Sequence, residues 1–413
     1  MSDHAAFSPS GSEKRYLCPA SYALEYGLPD TENEYSREGT TAHSLAELML
    51  RVHLTRRESP EVRFHAAEEL NDFRNSLPEK WKGMPEQVAK YVDKLLVYAD
   101  GHELFIEQKL NYAQFVGANE DEAWGTGDGI VLTPDEIQIH DFKYGMGVKV
   151  FAERNRQLMC YALGALDSFA MVGDFKRVRL VIHQPRLDHL DEWDCTIEEL
   201  MEFADEEWAS IRQCREALSE RQKGELEEKW FNPGEKQCRW CKAAATCPAL
   251  QQLAESEFLN EMDGPQPVPT DAQILGRKLD LAPLLEHYVK AVRAEAEKQA
   301  FAGNPPIGKD GAYKLVRGKK GNRAWSDESQ AEALLKSFKL KRDDMYVSKL
   351  ITPTAAESLL KKEQPRRWAK AQALISQSDG GISIAPATDK REAYIPTPSD
   401  DEFSDIDAEE SLT

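Results

Sequence analysis

The chain has 413 residues, 30% of them charged, and a formal net charge of −20 at pH 7. A single core seldom grows past about 250 to 300 residues, so we expect two domains, or one large domain with an appendage. No apolar run approaches the roughly 18 residues that a membrane-spanning helix needs. We therefore expect a cytoplasmic protein with no membrane partner.

The charge is unevenly distributed along the chain. Residues 1–263 and 392–413 have an acidic excess, whereas residues 264–391 contain more Lys and Arg than Asp and Glu. A Pro-rich stretch that begins at Gly264 indicates a linker. We predict a first domain over 1–263, a basic and mostly helical domain over 264–391, and a disordered acidic tail over 392–413.

Hydrophobic periodicity predicts an α/β fold for the first domain. The order is helices, three strands, a helix and a strand, followed by a long helix. In chain order the predicted elements are a helix near 10–25, a helix that opens at Gly39, helices near 64–75 and 86–100, strands near 103–111, 125–132 and 136–144, a helix near 154–171, a strand at 177–184 and a helix near 197–220. In the second domain we predict helices near 272–302, 328–338 and 353–362 and a short strand near 313–317.

Two acids and a lysine lie on the second and third predicted strands. The turn signal Thr133-Pro134-Asp135 makes a hairpin the simplest connection between them. Asp128 and Asp141 offer oxygens that suit Mg²⁺ or Mn²⁺. Lys143 lies two residues after Asp141, so in a strand both side chains emerge on one face. An acid and a lysine at this spacing are common on solvated strands, so their significance depends on the other residues nearby.

Four further residues fit a site around this hairpin. His43 opens a predicted amphipathic helix. Glu107 lies on the preceding strand, and the alternative interpretation is that this is an ordinary half-exposed strand. Gln157 and Tyr161 are four residues apart, hence on one face of the following helix.

Taken in order, His43, Glu107, Asp128, Asp141-x-Lys143 and Gln157-x3-Tyr161 resemble the motif series of the RecB-family PD-(D/E)XK nucleases. The resemblance implies a restriction-endonuclease-like αβββαβ core with helical N-terminal and C-terminal additions. It implies that His43, Asp128 and Asp141 bind Mg²⁺ or Mn²⁺ and that Lys143 positions the attacking water. Gln157 and Tyr161 would flank the site, and Glu107 is a ligand in only some relatives.

Four cysteines form a second constellation. Cys238, Cys241 and Cys247 are clustered, and Cys18 lies far upstream; Cys160, Cys195 and Cys214 show no ligand spacing. The chain shows no signal peptide and has an odd number of cysteines, which argues against a secreted disulfide scaffold. Zinc, an iron-sulfur cluster and no metal all remain open from spacing alone. The arrangement resembles the iron-sulfur subset of RecB-family nucleases, which includes CRISPR adaptation exonucleases and the AddB nuclease domain. It implies that these four residues ligate one [4Fe-4S] cluster that clamps the domain.

The basic domain is a candidate DNA-binding surface, although a solvated charged face would have the same composition. We predict contacts to the DNA backbone from Lys319, Lys320 and Arg323. Candidates for stacking on bases are Tyr313, Trp325 and Trp368. The segment from Gly303 to Lys309 fits G-x4-G-K, but Asp310 stands where a P-loop needs a hydroxyl, so we predict a turn and no ATP dependence.

The chain also resembles a functionally uncharacterised family of phage-borne proteins with this nuclease core. The shared segments are Leu17-Cys-Pro-Ala, Glu38-Gly-Thr-x-Ala-His and Asp141-Phe-Lys-Tyr-Gly-x-Gly-Val. The resulting hypothesis is an ATP-independent exonuclease that processes DNA ends in phage recombination or replication, in the bacterial host cytoplasm. Its expected partners are DNA and a phage single-strand-binding or annealing protein, and ring-forming relatives leave a homo-oligomer open. The alternatives are a DNA-binding recombination or packaging partner with little cleavage of its own, and a CRISPR-adaptation-type nuclease.

Overall fold

The chain divides into two compact units, Met1–Val289 and Lys290–Thr413. The predicted linker at Gly264 and the DNA-contact residues Lys319, Lys320 and Arg323 lie outside the described residues, as does most of the predicted acidic tail. The computed structural model describes residues 5–29, 34–259, 272–309, 311–318, 324–346, 350–362, 364–376, 381–385 and 391–395.

The first unit is a mixed α/β structure in which helices precede, interrupt and follow one sheet. Its elements are α1 (Ser12–Leu17), α2 (Pro19–Glu25), α3 (Glu34–Leu54), α4 (Pro60–Ser76), α5 (Met84–Tyr98), β1 (Glu103–Asn111), β2 (Trp124–Leu132), β3 (Glu136–Phe142), α6 (Arg156–Ser168), β4 (Arg177–Gln184), β5 (His189–Thr196), α7 (Ile197–Lys223), α8 (Glu235–Cys238) and α9 (Pro248–Leu259), after which α10 (Ala272–Phe301) follows.

The five strands form one sheet in the order β1-β2-β3-β4-β5. Neighbouring strands are antiparallel except β3 and β4, which are parallel because α6 crosses over between them. The hairpin predicted at Thr133-Pro134-Asp135 is confirmed as the connection between β2 and β3. The sequence prediction missed β5. Every second residue of this strand is exposed, and one of the less exposed positions is occupied by the polar residue Asp191.

Helices cover both faces of this sheet. Side chains such as Ile130 and Ile139 pack with α6 and α7 on one face, whereas Val131 and Phe142 pack with α3 and α5 on the other. Helix α6 approaches β1 closely because Gly164 has no side chain: a Cβ there would lie 2.8 Å from the Cβ of Leu110. The first turn of α6 lies near the carboxyl end of β3, where Gln157 Nε2 donates to Asp141 Oδ1.

The helix predicted over residues 10–25 is two helices, with a break at Cys18. The residue before a proline disfavours the helical conformation, and Cys18, which precedes Pro19, has φ −146° and ψ 90°. The prediction of a single helix was therefore wrong, and the break fixes where the Cys18 thiol points.

A buried ion cluster joins α1, α6 and α7. The Glu207 carboxylate accepts hydrogen bonds from Arg15 at 2.9 Å, Arg156 at 2.8 Å and Ser12 at 2.7 Å. Glu207 is completely buried. Although burial opposes the charged form, the two guanidinium groups hold the pKa of Glu207 below its usual range. The cluster fixes the helix that presents Cys18 against the rest of the unit.

Replacing Glu207 with Gln should lower the free energy of unfolding by about 3 to 5 kcal/mol near pH 7, because two buried guanidinium groups lose their counter-charge. Since the folded-state pKa is depressed, this stabilisation is complete above the ordinary pKa of 4.5 and is lost as the pH falls through the folded-state value. Urea unfolding at pH 7 and at pH 4 should therefore show a smaller difference at pH 4. Glu206→Gln is the matched control, because that neighbouring carboxylate is 38% exposed; equal effects of the two substitutions would contradict this account.

The second unit has a small helical core of its own. Leu335, Phe338 and Trp368 are among its buried residues. Trp368 is only 5% exposed, so the prediction that it stacks on bases was wrong; its apolar ring is a core residue. The elements are β6 (Ile307–Gly308), β7 (Gly311–Ala312), β8 (Lys314–Arg317), β9 (Ala324–Trp325), α11 (Glu328–Ser337), α12 (Arg342–Met345), α13 (Pro353–Leu360), α14 (Pro365–Gln372), β10 (Ile375–Ser376) and β11 (Ile382–Ala385). Across the described parts of both units, no helix is both long and apolar enough to cross a bilayer.

Candidate active site

The strand register brings three carboxylates into one row across β1, β2 and β3. The pairs that flank Glu107 place it opposite Asp128. Asp128 lies one position beyond the last pair of β2 with β3, opposite Asp141. The ladder is interrupted at Glu107, whose φ of 47° is in the left-handed region that a non-glycine residue adopts only at a cost in energy. This local strain turns the Glu107 side chain away from the regular strand direction.

Asp128 is held from two sides. Its Oδ1 lies 3.0 Å from Nδ1 of His43, which projects from α3. Its Oδ2 accepts a hydrogen bond of 2.7 Å from the backbone N–H of Phe142 on β3. The carboxylate therefore bridges the helical layer and the sheet.

The atoms of His43, Glu107 and Asp128 form a group that can hold one metal ion. One ligand atom from each lies within 4.8 Å of the other two, and all three residues are half-buried. The motif resemblance predicted His43, Asp128 and Asp141 as the metal ligands. The compact group instead includes Glu107, whose role the sequence left least certain, and does not include Asp141.

Asp141 begins a chain of polar contacts that ends on α6. Lys143 Nζ donates to Asp141 Oδ1 at 3.2 Å and to Gln157 Oε1 at 3.0 Å. Gln157 Nε2 donates to Asp141 Oδ1 and to the Tyr161 hydroxyl, both at 3.3 Å. Asp141 Oδ2 is buried and accepts no hydrogen bond, although Lys143 Nζ lies 3.0 Å away. The residues that the sequence selected at 141, 143, 157 and 161 thus lie in direct contact.

The pKa values of the site residues are shifted because several carboxyl groups lie close together and are shielded from solvent. Burial, reinforced by the Asp128 charge, raises the pKa of Glu107 to about 7. Burial also raises the pKa of Asp141, with Lys143 opposing the shift. Burial disfavours the charged form of His43, but Asp128 outweighs it and raises the pKa of His43 to about 9. Burial likewise opposes ionisation of Asp128, but His43 lowers its pKa. Buried carboxylates of this kind are stabilised by a nearby cation.

Tyr91 on α5 is a further residue at this site that sequence reasoning missed. Its ring stacks on Phe142 at 4.5 Å, and the side chain is 2% exposed. Its buried hydroxyl has no hydrogen-bond partner. Burial and then the charges of Asp128, Glu107 and Asp141 raise its pKa well above the ordinary value, so the hydroxyl keeps its proton. In the sequence, Tyr91 is an aromatic residue on an apolar helix face, a pattern typical of a core position.

The four predicted cluster cysteines line one cavity. Cys18 enters it from the break between α1 and α2, and the other three enter from the segment around α8. The two segments are also joined by polar contacts: Lys242 N–H donates to Glu25 Oε1 at 2.8 Å, and Asn232 Nδ2 donates to Leu17 O at 2.8 Å. The other residues that line the cavity include Ser21, Leu24, Phe231, Pro233 and Leu250.

Burial controls the ionisation of the thiols in this cavity. Burial raises the pKa of Cys18 and Cys238, and that of Cys241 to about 12, so the thiolates need a cation to form.

The chain belongs to a family described as "Protein of unknown function (DUF2800)", whose profile matches residues 4–392. It is also similar to a solved structure entitled "Crystal structure of SSO0001". The identity is 15%, over 56% of this chain and 94% of that one, and the TM-score is 0.21.

Proposed function

We propose that this protein is a metal-dependent deoxyribonuclease with a RecB-like PD-(D/E)XK core. One observation carries the proposal: groups from α3, β1, β2, β3 and α6 gather around one row across the sheet, in two neighbouring sets. The first is the metal-binding group of His43, Glu107 and Asp128. The second is the chain from Asp141 through Lys143 to Gln157 and Tyr161. Phosphodiester hydrolysis needs a cation and a positioned polar group beside it.

The residues present fit Mg²⁺ or Mn²⁺. Carboxylate oxygens suit both ions, and the imidazole favours Mn²⁺. His43, Glu107 and Asp128 would hold the ion, and Asp141, whose Oδ2 forms an ion pair of 3.0 Å with Lys143, lies opposite Asp128 on the neighbouring strand. When bound, the ion lowers the pKa of water and polarises the phosphate.

The remaining groups orient the reactants. The Lys143 ammonium is fixed between Asp141 and Gln157, so it can hold the attacking water and offset negative charge on the phosphate. Tyr161 holds Gln157 in turn. These contacts restrict the lysine to one position before substrate arrives, which is the requirement for electrostatic preorganisation.

The cysteine cavity supports a second metal centre. We propose that Cys18, Cys238, Cys241 and Cys247 ligate a [4Fe-4S] cluster, with zinc as the alternative. Bound there, the cluster would join the α1–α2 segment to the segment around α8 across more than two hundred residues of chain. Since this closes a long loop, its role would be to stabilise the first unit.

The expected substrate is a DNA end, and the expected reaction is ATP-independent exonucleolytic cleavage. Both rest on the motif resemblance together with the site geometry. The test uses anaerobically purified protein on end-labelled linear DNA and on covalently closed circular DNA, with Mg²⁺ or Mn²⁺ and with a chelator control. The proposal predicts metal-dependent release of nucleotides from linear DNA alone. Cleavage of the closed circle would overturn the exonuclease assignment, and intact DNA in every arm would leave a DNA-binding protein as the better account.

A further inference from the structure

An exposed apolar loop follows β3 and leads from Lys143 toward α6, which carries Gln157 and Tyr161. The 145–151 loop connects Lys143 and Tyr144, at the end of β3, to the segment that leads into α6. Met146 is 56%, Val148 51% and Phe151 58% exposed. Lys149 is exposed between them. Three large apolar side chains in seven residues are therefore in contact with solvent.

The second half of this loop is firmly held. The buried side chain of Gln184 accepts from Val150 N–H at 2.7 Å and donates to Val148 O at 2.9 Å. His189 Nε2 lies 2.8 Å from Val150 O, and Asp191 Oδ2 accepts from Ala152 N–H at 2.6 Å. These contacts satisfy the loop backbone internally, so its apolar side chains are presented outward in a fixed arrangement.

The anchors put the loop at the carboxyl ends of β3 and β4, next to Asp141 and Lys143. Gln184 ends β4, and the residue before it, His183, accepts a backbone hydrogen bond of 2.8 Å from Lys143 N–H. Ligands of open α/β sheets bind outside the carboxyl ends of the parallel strands. Here those strands are β3 and β4, so the loop borders the place where Asp141 and Lys143 act.

We propose that the 145–151 loop binds the unpaired bases of a DNA strand end, with Lys149 on a neighbouring phosphate. This inference rests on the proposed nuclease function and names the form of its substrate. Base faces are apolar and accept stacking whatever their sequence. Phe151 is suited to stacking because His189 supports its ring edge-to-face at 5.3 Å while much of it stays exposed. A strand whose bases rest on this loop has its phosphates beside the carboxylates.

A single strand fits the loop better than a protein partner does. A stable protein cover over Met146 and Phe151 would also obstruct the adjacent site, whereas a substrate strand must occupy both. A blunt duplex keeps its bases stacked and paired, so it offers the loop no free base faces until its end opens. The loop therefore selects strands with unpaired ends.

The test measures DNA binding without cleavage, in the full chain carrying Asp141→Ala. The loop variant combines Met146→Ser, Val148→Ser and Phe151→Ser. The matched control combines Met171→Ser and Val172→Ser, which are 99% and 62% exposed beyond the far end of α6, about 20 Å away. Fluorescence anisotropy compares a single-stranded oligonucleotide, a duplex with an unpaired overhang, and a duplex with both ends closed by hairpins. Thermal unfolding establishes that each variant is folded.

We expect the loop variant to lose about tenfold or more in affinity for the single strand and the overhang. The closed duplex and the control variant should change little. The loss of affinity should persist at high salt, because stacking is not electrostatic. Lys149→Ala should instead reduce, by about one unit, the slope of the logarithm of the binding constant against the logarithm of the salt concentration. Equal affinities of the loop variant and the control would overturn the inference, as would an equal loss on all three substrates. If the wild-type protein cleaves DNA but the loop variant binds normally, only this inference fails; if binding depends on the loop but no cleavage occurs, only the nuclease proposal fails.

Discussion

Replacing Lys143 with Ala should slow DNA cleavage by about 10³-fold while leaving the affinity for Mn²⁺ nearly unchanged. The Lys143 ammonium contacts Asp141 and Gln157, but it is not part of the group formed by His43, Glu107 and Asp128. Removing one preorganised group that stabilises developing charge costs about 10² to 10³ in rate. The loss of a water-orienting group adds to that effect.

The measurement combines single-turnover cleavage with a Mn²⁺ titration of the same preparations. Lys176→Ala is the matched control, because this exposed lysine precedes β4 at the opposite end of the sheet. Asp128→Asn should behave differently from Lys143→Ala: it removes a proposed ligand and should weaken Mn²⁺ binding as well as cleavage. A Lys143→Ala protein that cleaves within about threefold of wild type would refute the assigned role.

Replacing Cys18 with Ala should abolish binding of the proposed iron-sulfur cluster and destabilise the first unit. Closing a long loop through a covalent crosslink contributes about 2 to 5 kcal/mol in comparable disulfides. A loss of about 3 kcal/mol corresponds to a fall in Tm of roughly 6 to 12 °C for a unit of this size. The α1–α2 segment keeps its contacts from Glu207 and Glu25, so we expect a weakened unit and not an unfolded one.

Iron and acid-labile sulfide content, visible absorbance and thermal unfolding together test this prediction. Cys195→Ala is the control, because that buried thiol lies on β5 and does not line the cavity. Stoichiometric zinc without iron would select the zinc alternative. Equal metal content and equal Tm for the two variants would eliminate a metal centre at Cys18.

Strand positions were predictable where an apolar pattern and a turn signal coincide. β1 and β4 have the predicted bounds, and β2 begins one residue early. β5 was missed because Asp191 takes an inward position for its bond to the Ala152 backbone. The break between α1 and α2 is caused by Pro19. The sequence prediction gave more weight to the helical pattern of residues 10–25 than to this proline.

The site was only partly predictable. The motif resemblance identified the residues of the site. It could not predict the positive φ of Glu107, which turns this side chain toward His43 and Asp128. Tyr91 could not be distinguished from a core aromatic, because only packing shows that its hydroxyl has no partner beside the acids. The Glu207 cluster joins residues that are far apart in sequence, so its pairing depends on the folded chain.

The most direct test of the central claim is cleavage of end-labelled linear DNA by wild-type protein and by Asp141→Ala, with Mn²⁺ under single-turnover conditions. The account predicts release of labelled nucleotide by the wild type and a loss of at least about 10³-fold in the variant, with both proteins equally folded. Cleavage at similar rates by both proteins, or intact DNA with a folded and metal-loaded wild type, would contradict it.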